Sequence, residues 1–194
     1  MVEIFGNYLE NFESMEYLVI SLRSNKFKIG ERWKSCDISA DFLAEYWGTF
    51  YPVHTNSSRN DVNDVKDAVN FIANELFENA LKFDAKDSKL PIKLALCIFE
   101  NELKFYITNA ISEYGIKSFQ ELIKQLLTQD TQSLYFKRLE ENAENGDNKE
   151  SGLGLLTIIN DYQCQMAWKF ETNFENSGTN LVTTMVTLSI VRTE

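Results

Sequence analysis

The sequence predicts a single domain of the α/β class, an α+β two-layer sandwich in which helices cover one face of a mixed sheet. Two patterns predict this fold. Residues 61–83 repeat apolar side chains at steps of three and four, which is typical of one face of a long α-helix. Residues 92–99 and 103–109 predict the strands of a hairpin, and a second strand pair follows near 164–173 and 180–191. With 194 residues, the chain is long enough to bury one core between two such layers.

The first third of the chain predicts shorter elements. Residues 17–34 alternate loosely between apolar and polar side chains, which indicates two short strands joined near Ser24. Residues 38–51 predict an amphipathic helix that ends before Pro52. Its stripe of large side chains, which we expect beneath the sheet, consists of Phe42, Leu43, Tyr46, Trp47 and Phe50. A contact between two copies of the chain, a homodimer, is the alternative place for this stripe.

The chain is expected to form one domain with two parts. Residues 1–59 supply the N-terminal strands and the aromatic helix, and residues 60–191 supply the larger core. Two helical stretches near 118–128 and 131–141 fall in an insertion over about 110–151. This insertion separates the first strand pair of the core from the second.

Composition and charge exclude several classes of function. The formal net charge of −10 argues against a nucleic-acid partner, because such binding relies on clustered Lys and Arg. No run of about 18 apolar residues is present and the N-terminus carries acids, so we expect no membrane segment and a cytoplasmic location. Cys36, Cys97 and Cys164 lack the spacing of a zinc site. His54, the one histidine, lies in a polar linker and gives no basis for a Ser/His/Asp or Cys/His site.

Three polar residues of the long helix lie on one line beside its apolar stripe. At about 100° per residue, Glu75, Asn79 and Lys82 project together, roughly 90° from the centre of that stripe. They can present a base, an oxygen ligand for Mg²⁺ and a phosphate partner to one bound molecule. The alternative is a solvated helix edge on which the three side chains only bond to one another.

A glycine-containing turn opens a short apolar helix further along the chain. It comprises Ser151, Gly152, Leu153, Gly154 and Leu155. Backbone amides at a helix N-terminus, next to glycines without a Cβ, let phosphate oxygens approach closely. The spacing matches neither a P-loop nor a dinucleotide fingerprint. The alternative interpretation is a plain connecting turn.

The order of these features resembles that of the Bergerat-fold, histidine-kinase-like ATPases. The order is NELFENALKF on a long helix, a hairpin, an insertion, SGLGL at a helix start and a Gly-Thr pair before the last strand. Gyrase, sensor histidine kinases and anti-sigma serine kinases such as SpoIIAB and RsbW belong to that superfamily, and the resemblance covers about residues 60–191. It implies ATP or ADP with Mg²⁺ as ligands. It also implies that Glu75 is the catalytic residue and that Asn79 binds the Mg²⁺ and the nucleotide.

The same resemblance implies further nucleotide-binding residues. These are Lys82, Asn109, Ser151, Gly152, Leu153, Gly154, Leu155 and Thr179. One of them departs from the family pattern, because Asn109 stands where the family has an Asp that accepts a hydrogen bond from adenine. An amide oxygen also accepts that bond but is neutral, so the bond is weaker by about 1 kcal/mol. The glycines that follow this Asp in the family are missing as well.

Within the superfamily, the run ERWKSCDISADFLAEYWGTFYP and the altered adenine loop resemble the SiaB-type protein kinases and their cyanobacterial relatives. That resemblance implies a serine/threonine protein kinase that phosphorylates a small STAS-type regulatory partner in a partner-switching pathway. Two functions stay open at this point. In the first, Glu75 draws the proton from a partner hydroxyl. In the second, the nucleotide only orders the insertion over about 110–151, which then gates a binding surface without phosphotransfer.

Overall fold

The computed structural model describes residues 2–10, 14–23, 29–50, 59–85, 88–145, 152–173 and 179–190. The described elements, in chain order, are β1 (Val2–Phe5), β2 (Glu16–Leu22), α1 (Ile29–Phe50), α2 (Arg59–Phe83), β3 (Ile92–Ile98), β4 (Glu102–Ala110), α3 (Glu113–Thr128), α4 (Thr131–Asn145), α5 (Leu153–Asn160), β5 (Gln165–Asn173) and β6 (Thr179–Ser189). The long helix, the predicted hairpin, the second strand pair and the two helices of the insertion are confirmed. No helix within the described ranges is long and apolar enough to cross a membrane.

The strands form one six-stranded sheet in the order β1-β5-β6-β4-β3-β2. The expectation of a mixed sheet is wrong, because all the described strand pairs are antiparallel. The hairpins β3-β4 and β5-β6 meet along β4 and β6, whose ladder runs from Glu102 opposite Ser189 to Ala110 opposite Leu181. The direction in which β5 enters the sheet depends on the path of the insertion, which the strand patterns do not specify.

The core lies between the helices and one face of this sheet, as expected of a two-layer sandwich. Phe105 and Ile107 of β4 face the buried side of α2, which supplies Ile72, Leu76 and Phe77. Successive side chains of a strand point to opposite faces. Asn109 lies two residues after Ile107, so it faces the helices too. The sandwich thus brings the polar end of β4 under α2.

Part of the opposite face of the sheet is covered by residues 6–10, which follow β1. These residues cross from β1, at one edge of the sheet, toward β4. The Tyr8 ring packs against a small buried cluster on this face, and the Tyr106 hydroxyl donates to the Leu9 carbonyl at 3.0 Å. Gly6 begins the crossing at a φ of 73°, where a Cβ would lie 2.8 Å from the carbonyl oxygen of Met166. The sequence analysis missed β1, which pairs with β5 over only four residues.

Helix α1 differs most from expectation. The predicted second strand within 17–34 is wrong, because α1 already begins at Ile29. Residues 30–35 are mostly exposed. Their loose alternation therefore does not mark the buried face of a strand. The buried face of α1 consists of Cys36, Ala40, Leu43, Ala44 and Trp47. Phe42 and Phe50 are 54% and 43% exposed, so their expected burial beneath the sheet is also wrong; the homodimer contact stays a prediction.

This assignment of the two faces of α1 has a testable consequence. Leu43→Ala is expected to lower the free energy of unfolding by about 2–5 kcal/mol, because it leaves a cavity at a fully buried position. Phe42→Ala, the matched control one residue away, should change it by no more than about 0.5 kcal/mol. Urea denaturation of both variants measures the difference. Equal losses would show that α1 is rotated relative to this description.

Candidate nucleotide site between α2, α3 and α5

The carboxylate of Glu75 lies against the first turn of α5. Glu75 is half-buried on α2, and a Cβ built at Gly154 would overlap its carboxylate. Only glycine therefore lets the two helices meet with this side chain between them. The Gly-containing turn and the polar line of α2, predicted separately from the sequence, are thus brought together in space.

Burial, together with the negative charge of Glu78 as the smaller cause, raises the pKa of the Glu75 carboxyl to about 7. A carboxylate loses favourable hydration when it is removed from water, so its neutral form is favoured. Glu78 itself is exposed, and burial and Asp37 raise its pKa as well. A carboxyl that titrates near neutral pH is well matched to accept a proton from a hydroxyl.

Asn79 lies one turn after Glu75 and is oriented by the helix backbone. Its side-chain nitrogen donates to the Glu75 carbonyl oxygen at 2.7 Å, so the amide oxygen points the other way, and Asn79 lines the cavities on both sides of it. A carbonyl oxygen held in this way is the kind of ligand Mg²⁺ accepts, with phosphate and water oxygens completing its shell. No cluster of three or more His, Cys, Asp or Glu suited to a metal occurs among the residues the structure describes. Asn79 as a ligand of Mg²⁺ therefore stays a prediction.

A polar cavity of about 170 Å³ opens beside Asn79. Two cations line it, Lys82 from α2 and Arg138 from α4. The Arg138 guanidinium donates a hydrogen bond to the Gln125 side chain at 2.8 Å. It also lies next to Gly152, where an added Cβ would be 2.6 Å from Nη1 of Arg138. Burial lowers the pKa of Arg138, yet a guanidinium stays charged in proteins. Glu121 of α3 lines the cavity as well, so two positive charges and one negative charge meet beside the N-terminus of α5. The lining is net positive, an arrangement suited to phosphate.

Gly152 shapes this end of the cavity. It caps α5 in the left-handed region at φ 57° and ψ 18°, a conformation that favours glycine. Leu153 begins the helix, and Leu155 is buried against the neighbouring cavity. Ser151, predicted to bind nucleotide with them, lies outside the described residues.

The side predicted to hold the adenine base is nearly full. A cavity of only about 10 Å³ remains there, lined by Leu76, Asn79, Ala80, Phe83, Ile107, Asn109, Phe119, Leu155 and Thr184. Asn109 is 4% exposed, and its side-chain nitrogen donates to the Ala110 carbonyl at 2.9 Å. This bond uses the side-chain nitrogen and not the amide oxygen, so the predicted contact of that oxygen with a base stays a prediction.

Thr179 is placed away from this pocket. On β6, Val182 and Val186 face the helices, and alternation then puts Thr179 on the opposite face of the sheet. Thr184 is the buried β6 residue that lines the base side instead. The sequence analysis missed Thr184, although its even spacing from Val182 and Val186 is visible in the sequence.

The insertion supplies the other residues that the sequence analysis missed. Phe119, Gln125 and Arg138 all line one of the two cavities. The helical periods of α3 and α4 were recognised, but nothing in a single helix tells which of its side chains meets α2. Only the packing of α3 and α4 against the rest of the chain brings these residues to the site.

Comparison with known proteins supports the fold. The chain is similar to a chain in the crystal structure of the SiaB-SiaC complex from Pseudomonas aeruginosa, with a TM-score of 0.51 and 12% sequence identity over 89% of each chain. At this identity the similarity concerns the fold alone. No family model matches the sequence, and neither does any curated protein.

Proposed function

We propose that this chain is a nucleotide-binding regulator of a partner-switching system, a serine/threonine protein kinase that acts on a small STAS-type regulatory protein. The observation that carries the proposal is the position of Glu75. It has a raised pKa, lies one turn from a candidate Mg²⁺ ligand, and contacts the turn that borders the cationic cavity. The fold similarity to a chain of a protein–protein complex supports a protein partner.

In the proposed reaction the γ-phosphoryl group of ATP passes to the hydroxyl oxygen of a partner Ser or Thr. The bond to the β-phosphate oxygen breaks, ADP leaves, and Glu75 accepts the hydroxyl proton. Lys82 and Arg138 hold the phosphates from two sides, and their positive charges offset the charge that builds up on the transferred group. Mg²⁺, when bound through Asn79, supplies further charge neutralisation.

A second function is favoured by a different observation. Asn109 replaces a charged acceptor, and the base side of the site is nearly full. Both features favour weak nucleotide binding, as expected of a binding module in which nucleotide gates the partner surface without phosphotransfer. In this case ATP would change the affinity for the partner and would leave no phosphate on either protein.

The two functions separate in one experiment. The protein is incubated with Mg-ATP and purified STAS-type proteins of the same organism, and mass spectrometry identifies any phosphorylated Ser or Thr. Phosphate that appears on a partner with the unaltered chain, but not with Glu75→Ala, supports the kinase. Complex formation that responds to ATP without any phosphopeptide supports the gated module instead.

A further inference from the structure

An aromatic side chain of the insertion occupies the base side of the site. Phe119 of α3 is 3% exposed and stacks on Phe83 of α2, with ring centroids 4.7 Å apart and 22° between the planes. It also makes an edge-to-face contact with Phe170 of β5, with ring centroids 6.2 Å apart. Phe119 thus lies in a flat aromatic slot between α2 and the sheet, bordered by Asn109 and Thr184.

The helix that carries Phe119 is held to the domain mainly by side chains. Its buried residues are Phe119, Ile123 and Leu126, and its backbone makes few close approaches to any other described element. Ser112 caps its N-terminus by accepting a hydrogen bond from the Gly115 amide. Segments with low local contact density open at a lower free energy than the rest of the protein. The few close backbone approaches of α3 favour such an opening, in which Phe119, Ile123 and Leu126 leave the core together.

The two halves of the site differ in access. The phosphate half measures about 170 Å³ with α3 in place, and α3 itself adds Glu121 and Gln125 to its lining. The base half retains only about 10 Å³, and Phe119 is one of the side chains that fill it. A purine ring does not fit in this space unless a side chain such as Phe119 leaves, whereas the phosphate half is already open.

We propose that Phe119 is an internal plug of the base pocket, an inference that rests on the proposed ATP site. A nucleotide base and α3 in its present position, with Phe119 in the pocket, then exclude each other. The affinity for a nucleotide then depends on the position of α3. A partner that holds α3 down lowers the affinity for ATP, and one that draws α3 away raises it.

The test compares Mg-ATP with inorganic tripolyphosphate by calorimetry. Phe119→Ala is expected to bind Mg-ATP at least about tenfold more tightly, because a binding-competent state populated at about 10% or less lowers the apparent affinity by that factor. Its affinity for tripolyphosphate should match that of the unaltered chain. Leu127→Ala, an exposed position on the same helix, is the matched control and should change neither affinity.

Each outcome decides the proposal. Equal Mg-ATP affinities of the unaltered chain and Phe119→Ala would overturn the plug while leaving the ATP site intact, and so would an equal gain for tripolyphosphate. Absence of Mg-ATP binding to both would overturn the proposed function together with the plug. If Phe119→Ala does not fold, hydrogen exchange of the unaltered chain decides: saturating Mg-ATP should speed exchange over 113–128, and unchanged or slower exchange there overturns the plug.

Discussion

Glu75→Gln is expected to lower the rate of phosphotransfer to the partner by about 10²- to 10⁴-fold, the contribution of one well-placed general base. Glutamine keeps the size of the side chain against Gly154 but cannot accept the proton. The affinity for Mg-ATP should change little, because Lys82, Arg138 and Asn79 still line the phosphate cavity. Single-turnover phosphorylation and calorimetry measure the two effects separately.

The pH dependence gives the control for this prediction. Phosphotransfer should rise with pH through about pH 7, where the Glu75 carboxyl ionises, and Glu75→Gln should lose that rise. Glu78→Gln is the matched variant: it removes a charge that raises the Glu75 pKa, so the rise should move to lower pH while the maximum rate stays the same. A full rate in Glu75→Gln would contradict the role of Glu75.

The same pKa also determines a trend in stability. Between about pH 4.5 and 7 the folded chain keeps a proton on Glu75 that the unfolded chain has lost. The free energy of unfolding should therefore fall as pH rises through that window, and Glu75→Gln should remove this part of the fall. Urea denaturation at several pH values measures it.

Gly154→Ala is expected to separate folding from activity. The atoms that a Cβ would overlap belong to the end of the Glu75 side chain, which can turn away. Gly154 lies in the first turn of α5, where alanine also has a higher helix propensity than glycine, by at most about 1 kcal/mol, so the free energy of unfolding should stay equal or rise. Phosphotransfer should nevertheless fall by about 10²-fold, because a misplaced catalytic group loses most of its effect.

The measurements for this variant are urea denaturation and the pH profile described for Glu75. With the carboxylate displaced toward water, the trend in stability between about pH 4.5 and 7 should weaken, as in Glu75→Gln. Strong destabilisation by Gly154→Ala would mean that the contact is part of the rigid core. Unchanged phosphotransfer would mean that the contact does not position the carboxylate.

Much of the fold was predictable because its signals are local and long. Helix α2 repeats apolar residues over several turns, and β3 and β4 are strand-like runs on both sides of a short turn. The relative placement of strands was not predictable. β1 has four residues, and only its pairing with β5 defines it as a strand. Strand direction across the insertion likewise depends on long-range packing.

The residues of the candidate site were predictable where their signal is local. Glu75 and Asn79 follow from the spacing on α2, and Gly154 follows from the glycine-containing turn before α5. Thr179 was predicted from the resemblance to the family's Gly-Thr pair, whereas alternation along β6 places Thr184 on the side of the helices. The plug by Phe119 has no local signal, since an aromatic residue on an amphipathic helix predicts burial but not the pocket that it fills.

The measurement that tests the central claim most directly is a calorimetric titration of the purified chain with ATP, with and without Mg²⁺, alongside Asn79→Ala. Binding is expected to require Mg²⁺ and to be lost in the variant, because the Asn79 amide oxygen is the proposed protein ligand of the metal. No binding to the unaltered chain at millimolar Mg-ATP, or equal binding by Asn79→Ala, would contradict it.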